Sequence, residues 1–230
     1  MVRKCVYLAG RLRGLPISTP LRIRHLGREG SHQMDIDSSA DDLVIWPPHE
    51  AFYISSMLFN TTQALRSAES IGAVIAHIEE NTEHTQQLNL DTTACLNEVQ
   101  SIALHAAALS KYFWPVGKRY KQRGEYLRNK LHIAVDSPLE NRNLRNQLEH
   151  LDEKLDDYFK EQAFSGFVFP EFFGPEPSKN GPKALFFRAY FIDTGEFEVL
   201  GEKYAMPALV AEVNRIHASL QRMDTHGGRL

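Results

Sequence analysis

The chain has 230 residues, 43% hydrophobic and 24% charged, which is the composition of a folded protein with a sizeable core. Its formal net charge of −3 at pH 7 excludes a protein that binds nucleic acid through an overall basic surface. No apolar run approaches the ~20 residues that cross a bilayer, and no apolar signal-peptide region follows the N-terminus. The two cysteines, Cys5 and Cys95, have neither a disulfide nor a zinc-binding spacing. We therefore expect a cytoplasmic protein.

The first segment, residues 1–45, contains many glycines and prolines but no helical or strand period, which predicts a poorly ordered tail. Residues 1–33 carry seven basic side chains against Glu29 alone, so the rest of the chain has a net charge of −9. A basic tail can bind RNA or DNA through charge alone. The alternative is that Met34 is the true start and that the residues before it are not native.

Helical periodicity begins at Trp46-Pro47-Pro48. The first predicted helix has apolar residues near a 3.6-residue period as far as Ile78, with a break predicted at Ser67–Gly72. A second helix is predicted to start at Asp91, as its N-cap, and to end before Pro115. It contains a run of three alanines at 106–108.

Two further helices complete a predicted bundle over residues 46–163. Residues 118–131 are predicted as a short basic helix. Ser137-Pro138-Leu139-Glu140 is a capping box with proline at the first helical position, and it predicts the start of the fourth helix. That helix carries an apolar stripe made of Leu144, Leu148, Leu151, Leu155 and Tyr158.

A different pattern follows residue 164. The runs 185–192 and 196–200 flank Asp193-Thr194-Gly195 and predict a β-hairpin, and Pro207 opens a last helix. We expect this ββα unit, residues 164–222, to pack on the bundle, because an isolated hairpin is only marginally stable. A short tail, 223–230, is expected after it. The predicted fold class is α-rich α+β: a helical bundle with a C-terminal β-hairpin plus helix.

The fourth helix also carries residue types suited to phosphate chemistry. Asn146 and His150 are four residues apart, so they share a face that points away from the apolar stripe. Arg145 lies between that face and the core side. A histidine can take the proton of a ribose 2′-hydroxyl at neutral pH, and a guanidinium neutralises charge that develops on a phosphate. An amide can orient either group.

The segment Arg145-Asn146-Gln147-Leu148-Glu149-His150 resembles the R-x(4–6)-H motif of HEPN proteins, in the form with a polar residue directly after the arginine. The resemblance covers these six residues and, as a bundle, residues 50–160. It implies a four-helix bundle, a homodimer that joins two motifs in one cleft, and a metal-independent endoribonuclease. By this likeness, Arg145 and His150 are catalytic, Asn146 supports them, and no cofactor is needed. It also implies a toxin, defence or stress role, with an antitoxin or other partner protein.

Two other interpretations of the motif stay open. Many HEPN-like bundles are not catalytic and instead bind a partner protein or a nucleotide. In addition, Arg145–Glu149 and Arg142–Asn146 are i,i+4 pairs, which stabilise any exposed helix by a few tenths of a kcal/mol. The motif therefore predicts an endoribonuclease first and a binding module second.

Cations near the motif are candidates for RNA binding, because cations beside aromatic rings bind single strands. The predicted RNA-binding residues are Lys118, Arg119, Lys121, Arg123 and Arg142. We predict that the basic helix guides RNA towards His150. A solvated basic helix beside core aromatics would produce the same pattern.

Two further histidine groups are weaker candidates. His77, Glu80 and His84 can lie on one side of a helix and bind a metal, but a solvated helix end is the favoured interpretation, so no metal site is predicted. His105 lies in an apolar helix, and we expect a core or interface histidine with one hydrogen bond.

Overall fold

A computed structural model describes residues 45–81, 90–161, 166–178 and 184–230. The predicted basic tail, with Cys5 and Met34, lies outside the described residues except for Ile45, and so does His84. The described helices are α1 (Pro47–Glu80), α2 (Thr92–Phe113), α3 (Lys121–Lys130), α4 (Arg142–Glu149), α5 (Leu151–Glu161) and α6 (Met206–Thr225). The described strands are β1 (Phe167–Gly174), β2 (Ala184–Phe191), β3 (Glu196–Val199) and β4 (Glu202–Ala205). The predicted α-rich α+β class is confirmed.

The first helix, α1, is continuous, so the break predicted at Ser67–Gly72 is wrong. Ser67 is buried, and its hydroxyl donates to Ser101 Oγ on α2 at 3.1 Å. Ile71 and Ile78 are buried on the same side of α1. A glycine inside a helix costs only about 1 kcal/mol, which the packing of the long helix offsets.

The second helix, α2, has the predicted ends. Asp91 caps it by accepting a hydrogen bond from Ala94 N at 2.9 Å, and the helix ends at Phe113, before Pro115. The basic helix follows as a 3-10 turn, Lys118–Tyr120, and then α3. Gly124 lets α3 lie close to the end of α2, since a Cβ there would be 2.5 Å from Phe113 O.

The capping box does not start one long helix, so that prediction is wrong. Ser137 begins a 3-10 turn, Pro138–Glu140, and the chain then re-enters helix at Arg142. In a continuous helix, Leu139 O would accept from Asn143 N. Instead Ser110 Oγ donates to Leu139 O at 2.7 Å, and Asn143 N donates to Asn141 Oδ1 at 2.9 Å.

The helix is interrupted a second time at His150. This residue is the C-cap of α4, with φ −121° and ψ 37°, and α5 begins at Leu151. The stretch predicted as one helix is therefore three segments. The consequence is that the motif lies on a helix of only eight residues, whose two ends are both set by capping residues.

The C-terminal region contains a four-stranded sheet in the order β1-β2-β3-β4. The hairpin predicted around Asp193-Thr194-Gly195 is confirmed as β2 and β3, with Gly195 at φ +68° in the turn. The sequence analysis did not predict β1 and β4. Strand β1 pairs parallel with β2, with Phe167 opposite Ala184, and β4 pairs antiparallel with β3.

One hydrophobic core joins the helices and the sheet. Helix α6 packs on α1, where Thr61 Oγ1 and His217 Nδ1 are 2.8 Å apart. The most completely buried large side chains include Ile54, Met57, Leu96, Leu109, Phe113, Phe197, Ile216 and Leu220. Helix α6 runs to Thr225, beyond the predicted boundary at 222. None of the described helices is both long and apolar enough to cross a bilayer.

Candidate functional site

The HEPN-like motif residues differ in exposure. Arg145 is buried, with 9% of its surface exposed, whereas Asn146 and His150 are exposed. His150 N donates to Asn146 O at 3.1 Å, which closes the last turn of α4. The short helix α4 therefore directs Arg145 towards the interior, and Asn146 and His150 lie on its exposed side.

The Arg145 guanidinium is only partly paired. Its Nε lies 3.5 Å from Glu149 Oε2, which is an ion-pair distance without hydrogen-bond geometry. Nε and Nη1 are both buried and have no hydrogen-bond partner. A buried charge is normally both paired and hydrogen-bonded, so these two unsatisfied donors set Arg145 apart from an ordinary core residue.

Glu149 is held mainly by another cation. Lys111 Nζ, at the end of α2, donates to Glu149 Oε1 at 2.6 Å. This hydrogen bond lowers the pKa of Glu149, and burial opposes the shift while the positive charges of Lys111, Arg145 and His150 add to it. Glu149 therefore stays ionised at neutral pH, and it lies closer to Lys111 than to Arg145.

Arg145 faces a pocket of about 210 Å³ between α2, α4, β4 and α6. Its apolar walls come from Ala103, Ala106, Ala107, Pro138, Leu139, Leu144, Ala205, Met206, Ala208 and Leu209. Its polar lining consists of Ser110, Asn141, Arg145, Lys203 and Tyr204. Among the residues that the structure describes, no histidine and no carboxylate lines this pocket.

The two pocket residues from β4 differ from Arg145 in their surroundings. Lys203 Nζ is bound by two carboxylates, donating to Glu176 Oε1 and, at 3.1 Å, to Glu196 Oε2. Burial raises the pKa of Tyr204, and the charge of Glu202 raises it further, so its phenol stays protonated at neutral pH. Among the described residues, Arg145 is therefore the pocket cation whose charge is less fully offset, since it shares Glu149 with Lys111.

His150 lies outside the pocket. Its side chain is 56% exposed, and Nδ1 is 3.8 Å from Glu153 Oε2, a contact between two exposed side chains that contributes little. No hydrogen bond joins the His150 ring to Arg145 or Asn146 in the described part of the chain. Arg145 and His150 thus do not face one common space within this chain.

The predicted RNA-binding residues have different environments. Lys118, Arg119 and Lys121 are exposed, whereas Arg123 is half-buried and donates through Nη2 to Lys111 O at 3.5 Å. The Arg123 guanidinium also lies 5.0 Å from the ring centre of Tyr120. Arg142 is the first residue of α4. The end of α2 therefore contacts both α3, through Arg123, and α4, through Glu149.

The other histidine candidates have structural contacts. His105 Nδ1 is 3.2 Å from Asn60 Oδ1, and burial lowers the pKa of this histidine. His77 is exposed and bonds with Asn81, one turn further along the chain. No group of three metal-ligating side chains occurs among the described residues. Cys95 is buried, and burial raises the pKa of its thiol.

Most residues that line the pocket were not predicted from the sequence. The alanine run at 106–108 was the available signal, because small side chains on a packed helix leave room for a ligand. Lys203 and Tyr204 lie on the four-residue strand β4, too short to show a clear alternation. Their approach to Arg145 is long-range and has no local pattern.

Comparisons with protein-family models, with curated proteins and with solved structures found no match for this chain.

Proposed function

We propose that this chain is a non-catalytic HEPN-like binding module in which Arg145 binds an anionic group of the ligand. The observation that carries the proposal is Arg145, a buried cation that lines the pocket and whose Nε and Nη1 have no hydrogen-bond partner among the described residues. A planar guanidinium binds carboxylate or phosphate oxygens through two parallel hydrogen bonds. An anion in the pocket would add a partner for the Arg145 guanidinium, whose Nε and Nη1 have none among the described residues.

The pocket supports binding more than cleavage. Cleavage of RNA at a 2′-hydroxyl needs a base within about 2.6–3.2 Å of the proton that it removes. The described residues that line the pocket include no imidazole and no carboxylate, and Tyr204 and Lys203 are protonated at neutral pH. An anion bound to Arg145 would therefore meet no general base among the pocket residues that the structure describes.

The endoribonuclease remains the second candidate, and one observation favours it. His150 is exposed, and both His150 and Arg145 lie close enough to Glu149 to lower the pKa of that carboxyl group. A homodimer would have to bring the His150 of one protomer to the Arg145 pocket of its partner. In that arrangement, Lys118, Arg119 and Lys121 would supply an exposed path for RNA.

The test compares the wild type with His150→Ala and with His77→Ala, a matched exposed histidine on α1. Each protein is expressed in bacteria, and growth and total RNA integrity are followed. Each purified protein is then incubated with RNA in the presence of EDTA. The binding module predicts equal growth and intact RNA for all three.

Fragmentation of RNA by the wild type and by His77→Ala, but not by His150→Ala, would overturn this proposal. It would establish the endoribonuclease and the catalytic role of His150. The His77 variant separates loss of the motif imidazole from a general effect of removing an exposed histidine.

A further inference from the structure

We infer that the Arg145 pocket binds a small organic monoanion, a carboxylate on a compact apolar body, and not a nucleotide. This inference rests on the proposed binding function and names the ligand class. It is carried by three properties of the pocket: its volume, the chemistry of its walls and the incompletely offset charge of Arg145.

The volume of the pocket suits a ligand about the size of a small aromatic ring. The pocket measures about 210 Å³. A cavity of about 150 Å³ holds benzene, whereas pockets for drug-sized ligands measure about 300–1,000 Å³. A ligand slightly larger than benzene therefore fits. A nucleotide, with a base, a sugar and a phosphate, would have to extend out of this space into solvent.

The walls favour an apolar body. Alanines 103, 106 and 107 of α2 form one side, and Met206 and Leu209 of α6 form another. The Ser110 hydroxyl already donates to Leu139 O at 2.7 Å. Because polar groups are costly to bury without partners, the hydroxyls of a ribose would be unfavourable here.

The charge of the pocket matches one negative charge. The charge of Lys203 is already offset by Glu176 and Glu196, whereas Lys111 and Arg145 share the single negative charge of Glu149. A carboxylate offers two coplanar oxygens to the guanidinium and carries one charge. A phosphate monoester carries nearly two charges at neutral pH and would need a further cation.

The pocket has a mouth through which such a ligand can enter. Ala205 and Ala208 line the pocket and are both exposed, whereas Met206 and Leu209 beside them are buried. The ligand would place its carboxylate on Arg145, deep in the pocket, with its apolar body between the alanines of α2 and the start of α6.

The experiment measures binding of benzoate to the purified full chain by calorimetry and by ligand-detected NMR. The other probes are neutral benzamide, phenyl phosphate and AMP. We expect saturable benzoate binding with a Kd of about 1 mM or tighter, and at least about tenfold weaker binding of benzamide. Phenyl phosphate and AMP should bind at least about tenfold more weakly than benzoate.

Three variants test the assignment to this pocket. Arg145→Met should weaken benzoate binding at least about tenfold, since it removes a charge-assisted hydrogen-bonding group. Arg66→Met removes an exposed cation of α1 that does not line the pocket, and it should leave the Kd unchanged. Ala208→Trp obstructs the mouth while keeping Arg145, and it should also weaken binding at least about tenfold. Circular dichroism and thermal unfolding check that each variant is folded.

Absence of saturable benzoate binding to the folded wild type would overturn this inference, as would equal binding by folded Arg145→Met. Stronger Arg145-dependent binding of AMP or phenyl phosphate would also overturn it, while leaving the binding module intact. Failure of the proposed function is a different result, namely cleavage of RNA that depends on His150.

Discussion

At the scale of single residues, Glu198 is a second buried charge whose position has a consequence. It lies in β3 with 9% of its surface exposed, beside Lys203 across the strand pair. Burial raises the pKa of Glu198. Lys203 opposes the shift, and Glu176 and Glu196 add to it. The folded protein therefore holds this proton more tightly than the unfolded chain does.

The direction of the shift fixes how Glu198 affects stability at different pH values. A carboxyl group with a raised pKa contributes stability that is fully present below its unfolded pKa, near 4.5. That stability is lost as the pH rises from 4.5 through the folded pKa. Above the folded pKa, the buried carboxylate is less favourable than a neutral group of the same shape.

We predict that Glu198→Gln raises the unfolding temperature at about pH 7.5 and has little effect at about pH 4. Glutamine keeps the shape of the protonated side chain and removes the charge. The matched control is Glu202→Gln, an exposed carboxylate on the neighbouring strand, which should change little at either pH. Thermal unfolding at the two pH values is the measurement. A lower unfolding temperature for Glu198→Gln at about pH 7.5 would contradict the prediction.

At the scale of elements, local sequence signals correctly predicted a helix start with a side-chain cap and a turn that contains a glycine with positive φ. Asp91 and the turn at Gly195 are examples. The errors came from long-range bonds. Ser110 takes the carbonyl of Leu139 away from the helix that the capping box predicted. Helical periodicity alone placed Arg145 only at the edge of the core, and it could not show the packing of α4 on α2 in which this residue is buried.

The close contact between α2 and α3 depends on Gly124, which has no side chain. A Cβ at Gly124 would lie 2.5 Å from Phe113 O and 2.6 Å from Pro115 Cδ, so neither backbone nor ring could yield cheaply. The Arg128 guanidinium donates to the same Phe113 carbonyl. Gly124 therefore fixes how closely the basic helix approaches the end of α2.

Gly124→Ala should lower the free energy of unfolding by about 1–3 kcal/mol, although alanine favours helix more than glycine does. Gly72→Ala is the matched control, because a Cβ on that exposed residue of α1 meets nothing within 4 Å. It should raise the free energy of unfolding by about 0.5–1 kcal/mol. Urea unfolding of both variants checks the opposite signs, and equal effects would refute the packing argument.

At the scale of the whole molecule, the buried Glu50 bonds with the more exposed residues Arg229 and Leu230 in one polar cluster. Glu50 is buried at the start of α1 and accepts from Arg229 Nε at 2.7 Å and from Leu230 N at 3.2 Å. Tyr126 of α3 donates to the same carboxylate at 3.1 Å. Lys130 Nζ donates to Leu230 O at 3.1 Å. The segment predicted as a tail, 223–230, thus contacts α1 and α3.

Glu50 of α1 bonds with α3 and with the C-terminal segment, so its replacement should destabilise the whole fold and not one region alone. We predict that Glu50→Gln lowers the free energy of unfolding by about 1.5–3 kcal/mol, the range for a hydrogen bond to a charged group. Glu69→Gln, on an exposed face of α1, should stay within about 0.5 kcal/mol of the wild type. Urea unfolding followed by fluorescence and by circular dichroism should give coincident curves for Glu50→Gln, shifted to lower urea. Separate transitions would show that the C-terminal segment unfolds independently, and an unshifted curve would mean that the cluster does not stabilise the fold.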